Sequence, residues 1–114
     1  MAFKVSSEIT DGIAIATLEG ELDGLVADTF RQAVNSLASQ NPNRLVLDMK
    51  KLDFMASAGL RVLAFARQKM GSEVDIYLIG VNDSVRETIV MTGFQYSVIM
   101  LDEYNADTVS PATQ

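Results

Sequence analysis

Two runs near the N-terminus, residues 3–9 and 13–18, are rich in β-branched and apolar residues in a partly alternating pattern, and Thr10-Asp11-Gly12 separates them. Asp-Gly between two such runs predicts a tight hairpin. The segment EGELDG, residues 19–24, closes the second strand, and its glycines permit a bulge or sharp bend. The period then changes. Val26, Phe30, Val34 and Leu37 recur at helical spacing, which predicts an amphipathic helix over 25–39. Gln40-Asn41-Pro42-Asn43 ends it, since proline cannot continue a helix.

Leu45-Val46-Leu47 is a short apolar run between Arg44 and Asp48, the pattern of a central strand buried on both faces. Residues 50–53 read as a turn. A helix is expected over 57–70, stopped by Gly71, and a second buried strand over 76–79. Asn82-Asp83-Ser84 offers caps for a helix over 85–92 that Gly93 ends. Residues 98–101 form the last expected strand, 106–109 a short last helix, and 110–114 a flexible tail.

A hairpin followed by alternating helices and strands predicts an α/β domain over residues 1–109, built on one small mixed β-sheet whose later strands run parallel. The helices are expected mainly on one face, leaving the other partly to the hairpin.

Composition narrows the chemistry. With 114 residues, 48% hydrophobic and 21% charged, the chain suits one folded domain and not a disordered one. It has no cysteine, hence no disulfide and no thiolate ligand or nucleophile. It also has no histidine, which removes the commonest general base and the commonest transition-metal ligand. No catalytic residue, metal site or cofactor is expected. A net charge of -6 argues against nucleic acid and favours a protein partner. No apolar run approaches the roughly 18 residues of a membrane span, and the N-terminus lacks a signal-peptide pattern, so neither a membrane association nor export is expected and the location read is cytoplasmic.

The residues that attract attention are FMASAGLRVL, 54–63. On a helical wheel Gly59, Val62, Leu63, Ala66 and Met70 share the buried arc, while Ser57, Arg61, Ala64 and Gln68 form the opposite stripe. Phe65 stands at the edge of that stripe, an apolar ring where a polar residue is expected. Ser57 has two compatible readings. As an N-cap, its oxygen would accept a backbone N–H, worth about 1 kcal/mol; Leu60 occupies the position where a capping box needs an acid. As a modified residue, it would place a phosphate of about -1.5 to -2 charges at the positive end of a helix, where such charge is favoured.

Four pieces in order are similar to the STAS domain, in particular the bacterial anti-sigma factor antagonists: Glu21-Leu22-Asp23, Val46-Leu47-Asp48, Phe54-Met55-Ala56-Ser57-Ala58-Gly59-Leu60 and Met91-Thr92-Gly93-Phe94. The resemblance covers residues 3–104. It implies a partner switch without enzymatic activity, in which the unphosphorylated protein binds an anti-sigma factor that is also a serine kinase of GHKL-type fold, and so frees a sigma factor. Phosphorylation ends the binding, and a PP2C-type phosphatase restores it. By position Ser57 matches the phosphorylated serine, and Asp23 matches a family acid near the kinase-binding surface. The implied docking surface comprises Asp23, Ala56, Ala58, Gly59, Arg61, Ala64, Phe65 and Gln68. Ala56 stands where many members carry Asp, Ala58 where Ser is frequent, and Arg61 where a small residue is expected; Arg61 is either a solvated helix-face arginine or a partner for a phosphate on Ser57.

Other groups carry less. Glu19, Glu21 and Asp23 alternate on an extended segment but read as a solvated strand edge, and Asp48 and Asp53 as turn acids. The glycines form no phosphate loop. Met49, Met55, Met70, Met91 and Met100 read as core fillers. The alternative to a phosphoswitch is a STAS-type scaffold in which Ser57 only caps its helix. A small enzyme would need a deep pocket around Glu21, Asp23, Asp48 or Lys50.

Overall fold

The computed structural model describes residues 2–104. The expected helix over 106–109 and the tail over 110–114 lie outside that range. The chain opens with strand β1 (Lys4–Thr10) and strand β2 (Ile13–Leu22), paired antiparallel from Lys4↔Glu19 to Thr10↔Ile13. The two-residue turn takes φ of 54° at Asp11 and 80° at Gly12, the positive pair the hairpin signal requires.

Helix α1 (Ala27–Ala38), strand β3 (Arg44–Met55), helix α2 (Ser57–Met70), strand β4 (Asp75–Ile79), helix α3 (Asp83–Met91), a 3₁₀ turn (Phe94–Ser97) and strand β5 (Ile99–Leu101) follow. The sheet order is β1-β2-β3-β4-β5, with β2 to β5 mutually parallel. All three helices pack on one face, over Ala14, Ala16, Leu18, Leu45, Leu47, Met49, Ile76 and Leu78, with Phe30, Val34, Leu63, Val85 and Ile89 closing the core. The opposite face carries a smaller cluster of Val46, Tyr77 and Ile79, flanked by Ile13, Ile15, Leu101 and Tyr104. The hairpin does not cover that face: β1 pairs edge-on with β2 and extends the sheet in plane.

The expected turn over 50–53 is strand. β3 runs on to Met55 because β2 continues beside it, pairing Glu19 with Lys51, Gly20 with Leu52, Glu21 with Phe54 and Leu22 with Met55. Register shifts between Thr17 and Glu19 and between Gly20 and Glu21 are the bulges that residues 19–24 suggested. Gly20 sits at φ 92°, and a Cβ there would run into the Ala2 carbonyl. This extension is what carries both strands to the start of α2.

Candidate functional site

α2 begins where β2 and β3 end together. The Ala56 N–H donates to the Leu22 carbonyl at 2.9 Å, so the end of β2 lies against the entry to the helix. Gly59 makes the approach close: a Cβ there would stand 2.7 Å from Met55 Cγ and 2.8 Å from Leu22 Cδ2. The helical turn therefore rests directly on the two strand ends.

The N-cap position is held by Ala56, at φ -79° and ψ 169°, and no side chain caps α2. This corrects the capping role considered for Ser57, which is the first helical residue, one position too late to cap. Its hydroxyl is exposed and has no hydrogen-bond partner among the described residues.

The expected stripe is present. Ser57, Arg61, Ala64 and Gln68 are all exposed, while Gly59, Val62, Leu63 and Ala66 are buried. Ala56 and Ala58 are half-buried beside Ser57. Ser57, Leu60, Arg61 and Ala64 form one wall of a groove of ≈ 360 Å³, and Thr92 and Phe94 form the other. Thr92 and Phe94 come from the segment after α3, so the groove joins residues far apart in the chain. Met91, expected in the core, is 80% exposed next to that wall. It ends α3 about 200° around from Ile89 on the helix, and Ile89 is on the buried face. Tyr96, 88% exposed, adds a further apolar surface that the sequence pattern did not single out.

Phe65, Gln68 and Asp23 lie outside the lining of this groove. Phe65 is half-buried, with the Arg31 guanidinium 4.5 Å from its ring centroid, so it faces α1 rather than open solvent. Gln68 prolongs the stripe toward the far end of α2. Asp23 follows β2, and its carboxylate accepts the Leu25 N–H at 2.9 Å and the Val26 N–H at 3.3 Å. It thus shapes the loop into α1 while standing next to Leu22, the residue that receives Ala56.

Asp48 and Glu103 are engaged with Lys50. Lys50 Nζ donates to Glu103 at 3.2 Å and lies 4.0 Å from Asp48. The hydrogen bond to Glu103 and then the charges of Asp48 and Glu103 hold its pKa above the usual lysine value, which keeps it a cation rather than a base. Among the described residues, no group of three acids forms a metal-binding cluster, and no helix is long and apolar enough to cross a membrane.

Comparisons with known proteins agree with this architecture. The family model for the STAS domain matches residues 4–109. The anti-sigma-F factor antagonist RsfB of Mycobacterium tuberculosis is 29% identical over 73% of this chain and 68% of its own length. The anti-sigma F factor antagonist of Paenibacillus polymyxa is 30% identical, covering 93% of each chain. Among solved structures, the crystal structure of an anti-sigma factor antagonist from Mycobacterium paratuberculosis superposes with a TM-score of 0.84 at 25% identity, covering 98% of this chain and 94% of that one.

Proposed function

The chain belongs to the STAS domain family, and on that premise we propose that it is an anti-sigma factor antagonist switched by phosphorylation of Ser57. In this reading the unphosphorylated form binds an anti-sigma factor of GHKL-type serine kinase fold through the surface around Asp23, Ala56, Ser57, Ala58 and Arg61 and the groove beside them. The kinase then modifies Ser57 and lets go, and a PP2C-type phosphatase resets the protein. The protein acts by binding, without catalysing a reaction of its own.

One observation carries the reading: the Ser57 hydroxyl is exposed and unpartnered among the described residues, at the mouth of a groove walled by Leu60, Ala64 and Phe94. A partner that buries this apolar groove must also desolvate whatever Ser57 carries. A neutral hydroxyl costs far less there than a charge. A phosphate of about -1.5 to -2 charges costs a great deal unless it is paired. Because Ser57 is exposed at a helix end, the charge can be added without disturbing the core.

The test is intact mass after incubation with ATP and the GHKL-type anti-sigma kinases of the same genome, comparing wild type with Ser57→Ala. The expected result is one phosphate on wild type, none on the variant, and a weaker complex after modification. Equal binding of one such protein to both forms, with no phosphate on either, overturns the switch and favours a scaffold role, for which Ala56 in place of the frequent family acid is the supporting feature.

A further inference from the structure

We propose that Arg61 is the internal counter-ion of a phosphate on Ser57, holding it along the α2 wall of the groove. The inference rests on the reading of Ser57 as the modified residue and names the group that receives its charge.

Ser57 and Arg61 are one turn apart on the exposed stripe and line the same groove. Side chains at i and i+4 on a helix are neighbours, with Cβ atoms roughly 5–6 Å apart. A phosphoserine and an arginine reach across that gap with a planar, two-pronged contact. Arg61 is also the one charged residue among those lining the groove, whose other members are Ser57, Leu60, Ala64, Thr92 and Phe94.

Of the cations on α1 and α2, Arg67 and Arg31 are engaged elsewhere and Lys69 lies outside this groove. Arg67 Nη1 donates to the carbonyls of Gly71 at 2.7 Å and Val74 at 2.8 Å, and its Nη2 donates to Ser97 at 3.1 Å. Arg31 covers the Phe65 ring, and Lys69 lines the separate groove between α1 and α2. Arg61 has no ion pair among the described residues. The carboxylates at this end of the molecule, Asp23 after β2 and Asp53 near the end of β3, repel a phosphate and leave it to the guanidinium.

Arg61 is therefore a positioning residue for the switch. A phosphate drawn to it lies along the α2 wall of the groove between Ser57 and Arg61, so the partner meets an altered wall as well as added charge. It also meets a surface from which the one cation has been taken.

The experiment installs phosphoserine at position 57 during synthesis by codon reassignment, so it needs no kinase. ³¹P NMR follows the second ionisation of the phosphate in the otherwise wild-type protein, in Arg61→Gln and in Arg61→Lys. A nearby guanidinium favours the dianion, so the second pKa is expected about half a unit lower with Arg61 than with Gln, with Lys between, and the gap is expected to shrink in about 1 M salt. A merely structural role for this exposed side chain would not move that value. Identical titrations in all three proteins overturn the inference. A search that finds no kinase for Ser57 instead overturns the proposed function and leaves the titration result standing.

Discussion

The starts of α2 and α3 solve one problem in two ways. α3 is sealed: the Asn82 side chain accepts the Val85 N–H at 2.8 Å, while its Nδ2 donates to the carbonyls of Leu52 at 3.0 Å and Asp53 at 3.3 Å. α2 has alanine in the equivalent place and no side-chain cap. It is held by shape, with Gly59 seated on Leu22 and Met55 and the Ala56 N–H bonded to Leu22. A cap would occupy the space and the N–H groups in front of the helix. Holding α2 from beneath leaves that space open in front of Ser57.

Changes that attack the two devices should separate them. The largest effect is expected from Gly59→Val, which drives a branched side chain into Met55 and Leu22. It should cost about 3 kcal/mol in urea unfolding and weaken partner binding by tilting α2. Next is Asn82→Ala, which removes a cap and the side-chain bonds to the Leu52 and Asp53 carbonyls, for a loss of about 2 kcal/mol with the start of α2 unchanged. Ala56→Asp works in the opposite direction: the backbone already has N-cap geometry, so an added carboxylate should stabilise by about 1 kcal/mol. The smallest change is Ser57→Ala, expected within about 0.5 kcal/mol of wild type because the hydroxyl supports nothing in the fold. A loss above 1 kcal/mol there would mean that the hydroxyl is structural after all.

Much of this was legible in the chain. Asp11-Gly12 fixed the hairpin, Val26, Phe30, Val34 and Leu37 fixed the inner face of α1, and the span of α2 from Ser57 to Met70 agreed at both ends. The extension of β3 was hidden by its own bulges. Opposite a partner whose register shifts, the buried positions fall at Met49, Leu52 and Met55, every third residue, and Lys50-Lys51 and Asp53-Phe54 are exposed in pairs. That spacing has no period of two and imitates a turn. The α2 wall of the groove could be read from helical spacing, but the opposite wall could not. Thr92 and Phe94 reach it through the glycine that ends α3, at φ 80°, and a 3₁₀ turn that no periodic pattern announces. Exposure of Met91 follows from its place on the side of α3 opposite Ile89.

The sheet is assembled in the order in which it is encoded: each strand pairs with the strand written just before it. Chains emerge from the ribosome N-terminus first. The hairpin can therefore close first, and each later helix and strand arrives at an edge that already exists, with no need to pry apart a finished pair. Hydrogen exchange on ribosome-bound nascent chains of increasing length should accordingly show protection in β1 and β2 before β5 has emerged, and a sheet protected only once β5 is present would contradict this route. Among the described residues the last strand is the three-residue Ile99–Leu101, a rung too short to serve a neighbouring molecule as a template.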